Sequence, residues 1–152
     1  MVLELPKPKR IVERPLVTVC GSFNKHIRQV KETVDELFDL GAVVLSPRRP
    51  VVINRALAPG VMLLDSDRAF RGMSIKAIED GHLAAIGQSD FIVLVCPRGY
   101  IGISVAAEMG AARALNIPLY AVELPIDDKL GHIPHQVPNL QIAVMNHRYR
   151  LL

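Results

Sequence analysis

Apolar positions along this chain come in short unbroken clusters, and between them in stripes with helical spacing. Leu16 to Cys20, Ala42 to Leu45, Phe91 to Val95 and Leu119 to Val122 are runs without polar alternation. Such runs suit strands covered on both faces. Leu140 to Met145 is predicted as a fifth strand. From Lys25 to Leu40 the apolar residues Ile27, Val30, Val34, Leu37 and Phe38 form a stripe opposite Arg28, Lys31, Glu32, Asp35 and Glu36. That spacing predicts an amphipathic helix, with Gly41 placed to end it. A second helix is predicted over 73–88, with Ile75, Ile78, His82 and Ile86 on one face. A third, Ala-rich helix is predicted over 104–115, stopped by Asn116 and Pro118. Strand and helix alternate throughout, which points to one α/β domain with a parallel sheet and helices on both faces. Residues 1–15 read as an N-terminal arm and 16–152 as the single domain. Residues 46–67, with three prolines and three arginines, read as the least regular stretch. A loop of that length is more often functional than idle.

Composition narrows the possibilities. The 152 residues are half hydrophobic and only 5% aromatic, with no Trp, so the core is aliphatic. Few aromatic surfaces exist for stacking exposed bases, and the net charge of +3 is mild. A nucleic-acid polymer is therefore not an expected partner, whereas a small anionic ligand is compatible. No apolar stretch approaches the ~20 residues of a membrane span, and the N-terminus has no signal-type apolar core. A cytoplasmic location without membrane association is expected. Cys20 and Cys96 each end a predicted strand, and are expected to be free, buried thiols.

Four places carry candidate chemistry. Gly21-Ser22 turns the first strand into the first helix and presents backbone N–H groups that suit an anion. The plain alternative is a helix cap. Gly99-Tyr100-Ile101-Gly102 follows the third strand, and Ser104 and Glu108 share one face of the helix behind it. Ligands of open α/β sheets bind beyond the carboxyl ends of the strands, where this loop lies. A carboxylate near a helix N-terminus is favoured in its ionised form, which also suits a simple helix-start charge. His82 lies on an apolar stripe, the usual setting of a hydrogen-bonded core histidine. Arg48-Arg49 follows the second strand and could hold a phosphate or stand in solvent. The five histidines show no metal spacing and the cysteines form no CxxC, so no metal site is expected.

The segments VTVCGSF, HLAAIGQSDFIVLV and RGYIGISVAAEMGAA, in this order, resemble the nucleoside 2-deoxyribosyltransferase-like proteins. That group includes the deoxynucleoside 5'-monophosphate N-glycosidases. The likeness spans residues 17–122 and is closest to a bacterial branch with the GYIG loop. It implies a flavodoxin-like (Rossmann-like) fold with a five-stranded parallel sheet in order 2-1-3-4-5. It also implies homo-oligomers with active sites at subunit contacts. Glu108 falls at the family nucleophile, and Cys20, Gly21 and Ser22 at the turn that approaches the sugar or its phosphate. Two positions depart from the pattern: His82 stands where the characterised enzymes carry Asp, and Val105 where the branch often carries Thr.

The resemblance and the residues together lead to an expected function. An N-glycosidase or deoxyribosyltransferase-like enzyme would act on a nucleoside or nucleotide, with Glu108 as nucleophile and His82 assisting the leaving base. Gly21, Ser22, Phe23, Arg48, Gly99, Tyr100, Gly102 and Ser104 would bind the substrate. No metal or organic cofactor is expected. The alternative is a non-catalytic nucleotide-binding or sensing module with the same pocket. The apolar stretch 51–64 is expected to help build a homo-oligomer.

Overall fold

The computed structural model describes residues 14–47 and 74–147, together with the backbone of strand or helix segments at 10–11, 52–58, 61–64 and 148–150. Five parallel strands form the central sheet: β1 (Leu16–Gly21), β2 (Val43–Ser46), β3 (Phe91–Val95), β4 (Leu119–Ala121) and β5 (His135–Gln136). Their spatial order is β2-β1-β3-β4-β5, the flavodoxin-like order 2-1-3-4-5. Val17 pairs with Phe91 and Gly21 with Val95 in the central β1–β3 register. At the start of that pair, Asp90 closes the sheet edge. Its carboxylate accepts the Leu16 N–H at 2.8 Å, and its own N–H donates to Leu16 O at 2.7 Å.

The uniform apolar runs reflect cores on both faces of the sheet. Val17, Val19, Phe91 and Val93 face α1 (Phe23–Asp39) and α5 (Leu140–Arg148). Cys20, Ile92 and Leu94 face α2 (Ile75–Gln88) and α3 (Ile103–Ala114). A four-residue helix, α4 (Asp128–Gly131), lies in the segment leading to β5. Every side chain in the middle of β1 and β3 is thus buried, which is why period-2 alternation is missing. Among the described residues, no helix is long and apolar enough to cross a membrane.

Three expectations are corrected. The stretch predicted as the fifth strand, Leu140 to Met145, is helix α5. Leu140, Ala143, Val144 and His147 are buried while Gln141, Ile142, Met145 and Asn146 are exposed. That is a spacing of three, four and seven, a helix face. Asn139 Oδ1 caps it, accepting from Ile142 N at 3.2 Å. The fifth strand is the exposed pair His135–Gln136, too short and too polar to carry a hydrophobic signal. Second, residues 46–67 are not wholly irregular. Strands Val52–Ala58 and Val61–Leu64 pair antiparallel, with Ala58 opposite Val61. The expected oligomer contacts of this stretch rest on side chains outside the described residues. Third, Phe38 is 70% exposed, and the buried stripe of α1 is Val30, Val34 and Leu37. One residue past Leu37 turns about 100° around the helix, beyond the edge of the face.

Separately, Arg10–Ile11 pairs antiparallel with Tyr149–Arg150.

Candidate functional site

Because all five strands run the same way, their carboxyl ends share one edge. Cys20 and Gly21 at the end of β1 and Ser46 at the end of β2 lie there, beside the loop after β3. Gly21 is required by close approach: a Cβ on it would stand 3.0 Å from Val95 O and 3.1 Å from Val30 Cγ2. The glycine therefore lets α1 start tightly against β3. Ser22 is the N-cap of α1, its Oγ accepting from Lys25 N at 3.2 Å. The plain cap reading fits Ser22, whose hydroxyl is spent on the helix. His26, in the next turn, has non-helical φ/ψ and kinks the helix.

The loop after β3 begins as a single 3-10 turn over Pro97–Gly99. Gly99 has φ +76°, and a Cβ there would come within 2.7 Å of Ile126 N. Its first job is thus to seat the segment after β4, to which it is bonded through Ile126 N→Gly99 O at 3.1 Å. Tyr100 projects outward, 40% exposed. The first turn of α1 holds it: Lys25 Nζ lies 4.0 Å from its ring centroid and the His26 ring packs edge-on at 5.8 Å. Ile101 turns inward onto the α2/α3 core. Gly102 is the N-cap of α3, and a Cβ on it would meet only the Tyr100 side chain, its hydroxyl at 3.6 Å and its ring edge at 3.9 Å. Ser104 is exposed on the first helical turn.

One turn further along α3, Glu108 points under this loop toward α2. Its Oε2 lies 3.6 Å from His82 Nε2, with the side chains only 17% and 11% exposed. Glu108 Oε2 is buried and has no hydrogen-bond partner. His82 Nδ1 is 2.6 Å from Ser46 Oγ, while Nε2 also faces Cys20 Sγ at 3.9 Å. Phe23 packs edge-on against the His82 ring, centroids 6.0 Å apart. Four elements, β1, β2, α1 and α3, therefore converge on the imidazole that α2 carries. Burial pushes the Cys20 thiol well above its ordinary range, and the negative charge of the neighbouring Glu108 carboxylate raises it further. Cys20 is consequently a neutral thiol near pH 7, not a thiolate nucleophile. The chemical capacity of the cluster lies in an acid and an imidazole at contact range, at the mouth of a parallel sheet.

The residues singled out from sequence thus separate. Glu108, His82 and Phe23 meet in one cluster; Tyr100, Gly102 and Ser104 lie on the loop and helix turn above it. Ser22 and Gly99 serve local structure first. Arg48 lies outside the described residues. Ser46 was missed as a site member, because a serine at a strand end has no distinguishing sequence signal. Cys20 joins through its position at the end of β1. A groove of about 370 Å³ exists on the other side of the sheet, lined by Glu32, Thr33, Glu36, Glu123 and Asn139 among others. Neither Glu108 nor His82 lines it, and its three carboxylates face no imidazole, so the chemistry argues for the cluster rather than the groove. No protein-family model matches the chain, and no curated protein sequence matches it.

Proposed function

We propose that this protein is an N-glycosidase or deoxyribosyltransferase-like enzyme that cleaves or exchanges the base–sugar bond of a nucleoside or nucleotide. The observation that carries the reading is the pair at the sheet's carboxyl edge. Glu108 Oε2, buried and without a hydrogen bond, stands 3.6 Å from His82 Nε2. An acceptor left unbonded in a buried place costs about 1–3 kcal/mol, more when charged, so its persistence argues for a use. In the proposed reaction the Glu108 carboxylate attacks the anomeric carbon, and the C–N bond to the base breaks as the ester forms. His82, protonated, gives its proton to the departing base. The resulting neutral imidazole then takes a proton from water as that water attacks the ester and frees Glu108. Ser46 holds Nδ1 and so aims Nε2 at the reacting side. Tyr100, held by Lys25 and His26, supplies a face for the sugar or base, and the exposed Ser104 with the α3 N-terminus suits a 5'-phosphate.

A nucleotide-sensing module with the same pocket is the second reading, favoured by the histidine at position 82 in place of the acid of the resembling enzymes. A base-release assay over a panel of nucleosides and their 5'-monophosphates separates the two. Release by the wild-type protein, lost in Glu108→Gln, supports the enzyme. Binding without release supports the sensor.

A further inference from the structure

We infer that Cys20, His82 and Glu108 together form a binding site for a divalent cation of the zinc class. This goes beyond the enzyme reading and does not rest on it. The three donor atoms, one sulfur, one nitrogen and one oxygen, all lie within 4.8 Å of one another. The sulfur–nitrogen separation is 3.9 Å and the nitrogen–oxygen separation 3.6 Å. A tetrahedral cation bound at ~2.3 Å to sulfur and ~2.0 Å to nitrogen sets those atoms roughly 3.5 Å apart, so closure needs only small side-chain shifts. The donors come from β1, α2 and α3, distant in sequence, which is why no ligand spacing is readable along the chain.

Two details of the cluster point the same way. His82 has its other nitrogen, Nδ1, on Ser46 Oγ at 2.6 Å. A ligating histidine almost always donates its second N–H to an oxygen, which fixes the tautomer that leaves Nε2 as a lone pair. Glu108 Oε2 is a buried acceptor with no hydrogen bond, and it faces the same gap. A cation there would supply the missing partner. Coordination would release the Cys20 thiol proton to solvent. Thiolate and carboxylate together then carry two negative charges and neutralise a divalent cation, which makes burial of the charge tolerable. A sulfur, an imidazole and one carboxylate suit zinc, and oppose magnesium or calcium, which take oxygen donors. Three protein donors leave a fourth position open, as in catalytic rather than structural zinc sites.

Metal occupancy and covalent attack both use the Glu108 carboxylate, so the two exclude each other, and zinc should block base release reversibly. The test is cobalt titration of the metal-free full-length protein, followed by zinc displacement. The expected result is one cobalt per chain with a thiolate-to-cobalt charge-transfer band, bleached by one equivalent of zinc. Cys20→Ser should abolish the band and Cys96→Ser should keep it. Glu108→Gln should keep the band and weaken cobalt at least tenfold. Ser46→Ala should weaken it by roughly 10–100-fold, the scale for losing the partner of a ligating histidine. Circular dichroism confirms that each variant is folded. No band in the wild-type protein at saturating cobalt, or a band that survives Cys20→Ser, overturns the inference. A cobalt band in a protein that releases no base when metal-free would keep the metal site and refute the enzyme; base release by the metal-free protein without a cobalt band on titration would do the reverse.

Discussion

The two faces of the sheet each bury a histidine, and they treat it differently. On the α1/α5 face, His147 is 5% exposed; its Nε2 is 3.0 Å from Tyr120 Oη, and its ring lies against Phe91 with centroids 4.6 Å apart. On the α2/α3 face, His82 is 2.6 Å from Ser46 at one nitrogen, while its other faces Glu108 and Cys20 at 3.6 and 3.9 Å. The first is held by a short hydrogen bond and aromatic packing, and fits a core residue. The second is oriented by one short bond and keeps its remaining nitrogen at the edge of bonding distance, beside a carboxylate oxygen that has no hydrogen bond. Residue type and burial do not distinguish them. Unspent bonding capacity at a strand-end opening does.

The comparison breaks most visibly if the two histidines exchange behaviours. His82→Ala should lower base release by about 10²–10⁴-fold, the range for losing a general acid–base group. The largest effect should fall on substrates with poor leaving bases. Steady-state kinetics on the best substrate of the panel measures it. Gly99→Ala should cost about 1–3 kcal/mol or more in denaturant unfolding, because φ +76° strains a side chain and Ile126 occupies its space. His147→Ala should cost about 1–3 kcal/mol through the lost Tyr120–His147 hydrogen bond and the lost packing on Phe91, with kcat unchanged at temperatures where the protein stays folded. A loss of kcat in His147→Ala as large as that in His82→Ala would erase the distinction between the faces.

The smallest effect concerns the thiols. Burial first, and the Glu123 carboxylate second, raise Cys96 to about 11, and Cys20 is raised as well. Both are more protonated in the folded than in the unfolded chain at alkaline pH. Their contribution to stability is therefore complete below about pH 9, and is lost as pH rises toward 11. Urea midpoints measured across that window should fall with pH, and less steeply in Cys96→Ala. An increase with pH would contradict the assignment.

Much of the fold was legible in the sequence because its determinants are local or periodic. The runs at β1 and β3, the cap at Ser22 and the stripe Val30, Val34 and Leu37 each follow from a few neighbouring residues. What failed is equally physical. A two-residue strand at His135 is held by pairing with Tyr120 and Ala121 across a long separation, with no pattern of its own. Its absence from the pattern made the apolar segment after it look like the missing strand. At the site, Glu108 stood out as a carboxylate beside the loop after β3, and His82 through the resemblance. Their contact, and the parts played by Ser46 and Cys20, depend on how α2 tilts over β1 and β2. No spacing along the chain encodes that tilt.

The central claim is that Glu108 forms a covalent bond to the sugar. Rapid acid quench of enzyme with a turning-over substrate, followed by peptide mass mapping, tests it directly. A pentosyl or pentosyl-phosphate adduct on the peptide containing Glu108 is expected, present in the wild-type protein and absent from Glu108→Gln, whose base release falls by several powers of ten at ~1.4 kcal/mol of barrier each. Base release that continues undiminished in Glu108→Gln, with no adduct on that peptide in either protein, would contradict the account.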